Sequence, residues 1–106
     1  MAQEFKSARR IVGTSEEVLY TVPSGKTAVV IGCQVSNVTD TTAWLTMSWV
    51  SGSNVTRLAR QIPVPGEAAY EPIGGRLVLP ASATLRVESD SSSALEATVS
   101  VLELDN

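Results

Sequence analysis

The feature that most constrains this chain is an alternation of apolar and polar residues with period two; no stretch sustains a helical stripe over ten residues. The clearest run covers residues 27–37. Val29, Ile31, Cys33 and Val35 share one parity and are all apolar, while Ala28, Val30, Gly32, Gln34 and Ser36 share the other. Alternate side chains leave a strand on opposite faces, so the first set is expected to face a core. Residues 42–50 repeat the pattern, with Leu45, Met47 and Trp49 set against Trp44, Thr46 and Ser48. Residues 95–101 do so again, Leu95, Ala97, Val99 and Val101 alternating with Glu96, Thr98 and Ser100. Leu102 and Leu104 then switch parity, which predicts a bulge or a C-terminal segment packed elsewhere. Shorter runs lie at residues 8–12, 18–22, 55–62, 68–73, 76–79 and 83–89.

Turn chemistry separates these runs at the spacing of an antiparallel sandwich. Val22-Pro23-Ser24-Gly25 reads as a type I turn, with proline setting φ at its second position and glycine at its fourth. Residues 37–41 and 51–54 are polar turns between β-branched runs, and Gly74-Gly75 and residues 79–82 close two further hairpins. Pro63 and Pro65 each remove a ladder donor and are unfit for a central strand. The expected fold is therefore all-β: an antiparallel β-sandwich of about eight short strands, either Ig-like or jelly-roll, with an N-terminal extension. A chain of 106 residues holds one such core, giving an arm over residues 1–10 and a single domain over residues 11–106.

Composition excludes several functions. There is no histidine, so neither a Ser-His-Asp nor a Cys-His arrangement exists, and one cysteine cannot build a disulfide framework or a cysteine zinc cluster. Cys33 sits between Ile31 and Val35 on the parity expected to be buried, where a thiol behaves as a small hydrophobe. A formal net charge of −3 argues against a broadly basic nucleic-acid binder. No run approaches the roughly 18 apolar residues of a membrane span, and residues 1–6 lack the apolar core of a signal peptide. The expectation is a chain made and used without secretion, with no membrane, nucleic-acid, metal or cofactor partner.

Motifs that imitate chemistry fail on their requirements. Ser24-Gly25-Lys26-Thr27 looks like the end of a phosphate-binding loop, but position 20 is tyrosine and a strand pattern follows where a helix is needed. Asn37-Val38-Thr39 and Asn54-Val55-Thr56 fit a glycosylation acceptor and read as turn residues without a secretory signal. Glu88 with Asp90, and Glu67 with Glu71, lack the cleft and spacing of a glycosidase pair, and Asp40 and Asp90 stand among hydroxyls without the Asp-x-Asp pattern of a calcium loop. Two features point to association instead. Residues 1–10 carry Lys6, Arg9 and Arg10 against Glu4, whereas residues 86–106 carry five carboxylates against Arg86. A basic arm docking on an acidic neighbour would be steered by those opposed fields. Trp44, opposite in parity to its apolar neighbours, is set to point outward or into a second layer: partly covered by a neighbouring loop or edge strand, or free as an interface anchor or a lone sugar-stacking platform. The candidate interface residues are Phe5, Lys6, Arg9, Arg10 and Trp44.

Residues 17–30 read Glu-Val-Leu-Tyr-Thr-Val-Pro-Ser-Gly-Lys-Thr-Ala-Val-Val; then follow Val35-Ser36-Asn37, Gly74-Gly75-Arg76-Leu77-Val78-Leu79-Pro80 and Leu85-Arg86-Val87-Glu88-Ser89-Asp90. This order of strand and turn signals resembles small all-β virion structural proteins of tailed bacteriophages, which include head decoration (cement) proteins and tail or neck accessory proteins. The resemblance covers roughly residues 17–104 and carries over no catalytic residue. It implies a non-enzymatic virion protein, first of all a decoration protein on the capsid surface. Such a protein is made in the host cytoplasm, bridges major capsid protein subunits and self-associates as a trimer or other cyclic homo-oligomer. The alternatives are a tail or neck adaptor or fibre-base subunit, and a carbohydrate-binding module that attaches the particle to a host surface.

Overall fold

The computed structural model describes residues 3–106. The alternating runs become nine strands: β1 (Gln3–Ile11), β2 (Glu17–Thr21), β3 (Lys26–Asn37), β4 (Ala43–Ser51), β5 (Asn54–Val64), β6 (Ala69–Tyr70), β7 (Leu77–Leu79), β8 (Thr84–Ser89) and β9 (Leu95–Asp105). No helix occurs among the described residues. One sheet runs β1-β9-β3-β6, with β7 also paired to β3; the other runs β2-β8-β4-β5. Every pairing is antiparallel. Successive strands β1 to β4 alternate between the two sheets, and β9 returns to lie between β1 and β3. That interleaving is the jelly roll, so the chain path decides between the two sandwich topologies left open by the sequence.

The core lies between the sheets. Val30, Val35, Leu79, Leu95 and Val101 from one layer meet Leu45, Met47, Leu85 and Val87 from the other, all essentially inaccessible to water. Removing one such leucine side chain costs about 2–5 kcal/mol in transfer and cavity terms. The Pro23 turn falls one residue later than expected, over residues 23–26, which puts Gly25 third, where the turn needs a positive φ. Gly25 takes φ 79, and the Lys26 N–H donates to the Pro23 carbonyl at 3.2 Å, turning the chain directly into β3. Asn37 is buried, its amide donating to the Thr41 and Val64 carbonyls at 2.8 and 2.9 Å and its Oδ1 accepting from the Thr39 N–H and hydroxyl. This residue ties two loops together.

The structure differs from expectation at several points: Gly74-Gly75 and residues 79–82 close no hairpin, since β6 and β7 both pair with β3 and β8 lies in the other sheet. The register of β3 on β9 slips between Val30 and Gly32, so Ala28 and Val30 point inward, Ile31 is exposed, and Cys33 and Val35 point inward again. A β-bulge thus splits a parity that the sequence writes as continuous. In β9 the opposite holds: no bulge follows Val101, and Glu103 takes the next inward position while Leu102 and Leu104 face outward. Pro63 lies within β5, which is tolerated because β5 is an edge strand. Finally, the segment expected as an arm forms β1, paired residue by residue with β9 from Gln3↔Leu104 to Ile11↔Glu96. The expected boundary at residue 10 falls inside that strand, and Met1 and Ala2 lie outside the described residues.

Candidate assembly interface

Residues directly opposite in an antiparallel ladder share a face. The register therefore lines up Phe5, Leu102, Val29 and Val78 as one row across β1, β9, β3 and β7, on the outer face of the first sheet. Phe5 is 75% and Val78 60% exposed, with Leu102 and Val29 half-buried between them. Ile31, pushed out by the bulge, and Leu104, one row along, widen the patch. Of the rows beyond, Ser7–Ser100–Gly32 and Arg9–Thr98–Gln34 are small or polar, and Ile11–Glu96–Ser36 at the far end carries a single exposed apolar side chain, Ile11. A contiguous apolar patch thus lies at one end of a largely polar face, the kind of surface that contact sites present. Covering Phe5 alone would contribute about 1.5–3 kcal/mol.

Behind that row lies the one buried carboxylate among the described residues. Glu103 is 1% exposed. The Tyr20 hydroxyl of β2 donates to its Oε2 at 2.5 Å, and the Lys6 ammonium of β1 stands 3.1 Å from Oε1, an oxygen that otherwise accepts no hydrogen bond. Burial opposes the charged form, but the Tyr20 hydroxyl and the Lys6 ammonium outweigh it and hold the carboxyl below its ordinary value. Burial and the same carboxylate push the Tyr20 phenol far above its usual range. Four residues along, Arg10 Nη2 meets Glu17 Oε2 at 2.6 Å, and Nη1 donates to the Val18 carbonyl at 3.3 Å. Two cations on the inward side of β1 thus fit two carboxylates of the body.

The expected interface residues separate. Phe5 and Arg9 lie on the outer face of the first sheet, whereas Lys6 and Arg10 turn toward the body in ion pairs within the chain. Trp44 stands apart on the second sheet. It is 42% exposed, its backbone N–H bonded to Asp90 Oδ1 at 2.8 Å, and it lines a shallow groove with Thr14, Thr46, Gln61 and Glu88. Of Leu102, Leu104, Val29, Val78 and Glu103, only the two leucines carry a visible signal in the sequence, the parity switch after Val101. Cys33 is free and buried, its Sγ 4.0 Å from the Met47 sulfur, and burial pushes its thiol up to about 11. Among the described residues, no three acidic or cysteine side chains converge in a metal-binding cluster.

No family model matches the chain, and no curated protein matches it in sequence. Solved structures share its fold. A chain in the acid-stable capsid of Helicobacter pylori bacteriophage KHP30 superposes with a TM-score of 0.59 at 12% identity, over 100% of this chain and 95% of that one. A subunit of the Bacillus endospore appendages, described as disulfide-linked pili, gives 0.58 at 10% identity over 98% and 87%. A chain of the T13 particle of infectious bursal disease virus gives 0.61 at 9% identity, but this chain spans only 30% of its length. At these identities the likeness is one of fold.

Proposed function

We propose that this protein is a non-enzymatic structural subunit of a bacteriophage particle, working by surface burial against sister proteins. The observation that carries the reading is the exposed row Phe5–Leu102–Val29–Val78, an apolar patch on a stiff two-layer body. The strand-and-turn resemblance to phage virion proteins and the fold shared with a phage capsid chain over nearly the whole length support it. The fold shared with pilus subunits supports the wider class of assembly proteins, although the buried Cys33 is unsuited to the disulfide linkage named for those pili. Within the particle, the capsid surface is the first assignment, as a decoration protein bridging major capsid protein subunits.

The test is the binding of purified protein to expanded shells, alongside copy number in native particles. Wild type is expected to saturate the shells, and Val78→Asp, at the β7 end of the row, to lose occupancy without unfolding. On the order of hundreds of copies per particle supports the shell, whereas about 6 to 12 moves the protein to the tail axis, where closed cyclic symmetry sets the count. Absence from purified particles overturns the reading. A second reading, glycan attachment, draws on the groove that Trp44 lines together with the polar residues Thr46, Gln61, Glu88 and Asp90. Binding on a glycan array that Trp44→Ala abolishes would support it; a blank array removes it.

A further inference from the structure

We propose that β1 is an exchangeable strand: in the assembled state the Gln3–Ile11 segment of a second copy occupies the edge of β9, in the same register that the chain's own β1 takes here. The inference deepens the assembly reading above and rests on it. Eight of the nine residues of β1 are exposed, and Ala8 alone is half-buried, so the strand contributes little to its own core. What holds it is a nine-residue ladder on a single partner, β9, together with the Lys6–Glu103 and Arg10–Glu17 pairs. A replacement strand of the same sequence reproduces every one of these contacts.

The body is built to let the strand go at one point. Val12 is fully buried, its N–H donating to the Leu95 carbonyl at 2.9 Å and its carbonyl accepting from Ser93, and the Gly13 carbonyl accepts from Ser89. The pivot therefore lies between Ile11 and Val12, and nothing beyond it has to move. The ladder uses all nine residues, so exchange in this register sets the edge of the receiving β9 directly beside Val12 of the donor.

Charge selects the occupant. Withdrawing β1 strips the buried Glu103 of its ammonium partner, and an uncompensated buried carboxylate is costly. Only a strand that places cations at both the Lys6 and Arg10 positions satisfies Glu103 and Glu17 together. This chain's own N-terminus is such a strand, so the socket fits a second copy. Exchange conserves contacts while linking bodies, and in a dense array the high effective concentration of neighbouring strands favours it.

Ser7 and Ser100 are direct partners on the outer face and give a test in the full-length protein. Two single variants, Ser7→Cys and Ser100→Cys, are mixed, assembled on shells and treated with a short bifunctional maleimide; the parent protein, with Cys33 buried, gives the background. Exchange predicts a covalent two-chain product in the mixture and not in either variant alone. Adding Lys6→Glu to the Ser7→Cys chain lowers that product by at least about tenfold, and Lys6→Arg preserves it. The proposal is overturned if the double variant Ser7→Cys/Ser100→Cys cross-links wholly within one chain while the mixture gives no two-chain product. Loss of exchange with full shell occupancy sinks this inference alone; exchange by a protein absent from particles sinks the virion assignment instead.

Discussion

The two ends of β9 follow opposite rules. From Leu95 to Val101 the strand alternates as a half-buried strand should, with Leu95, Ala97, Val99 and Val101 inward and Glu96, Thr98 and Ser100 outward. From Leu102 to Leu104 the polarity inverts while the geometry stays the same: two leucines face out and a glutamate faces in. The first half spends its side chains on the core. The second half places apolar surface where a partner can reach it and leaves a charge inside that must be matched by a cation on β1. Local disagreement between pattern and burial is where natural sequences depart from folding rules for the sake of function.

The largest effect should come from the ordinary half. Leu95→Ala is expected to lower stability by about 2–5 kcal/mol, read as a fall in the urea midpoint with the slope unchanged. At the inverted end, Lys6→Met leaves Glu103 without its ammonium. Because Lys6 is partly exposed, the expected loss is smaller, about 1–3 kcal/mol, and Lys6→Met/Glu103→Leu should recover most of it. A double variant no more stable than Lys6→Met would show that the buried charge is not what couples β1 to the body.

A pH titration sharpens the comparison further. The folded carboxyl of Glu103 is held below its ordinary 4.5, so the unfolded chain binds more protons between the two values. Stability from this group is therefore present above about pH 4.5 and is lost as pH falls through the folded value. Tyr20 has the reverse sign: its raised phenol contributes stability below its ordinary 10.0, lost as pH rises above it. Glu103→Gln should flatten the acid limb of a stability profile and Tyr20→Phe the alkaline limb. Equal limbs in variant and wild type would remove the triad from the account.

The smallest effect on stability is expected on the outer row. Val78→Ser, 60% exposed at the end of the patch, should change the urea midpoint by no more than about 0.5 kcal/mol while reducing shell binding. A variant that unfolds, or one that binds undiminished, would take the row out of the interface.

Much of this molecule could be read from the chain alone. The all-β class, the strand runs, the proline–glycine turn before Lys26, the failure of the phosphate-loop imitation and the outward Trp44 follow from side-chain alternation and φ preference, which act over two to four residues. The bulge at Ile31 left no mark beyond Gly32, because a slipped register is a property of two strands and one strand cannot show it. Lys6 and Arg10 were visible as basic, but not as ion-paired to Glu103 and Glu17, since that requires knowing which strands adjoin. Leu102 and Leu104 announced an irregularity, and only the ladder shows that its substance is an inverted face and not a break.

Sequence by itself thus determined the period, the places where the chain breaks its strands and the absence of histidine chemistry, because these are set by residue type and near neighbours. The tertiary structure decided the jelly-roll order, the row Phe5–Leu102–Val29–Val78 and the buried Glu103 with its two partners. Residues nearly one hundred positions apart become neighbours only when β9 inserts between β1 and β3, and no local pattern encodes that choice.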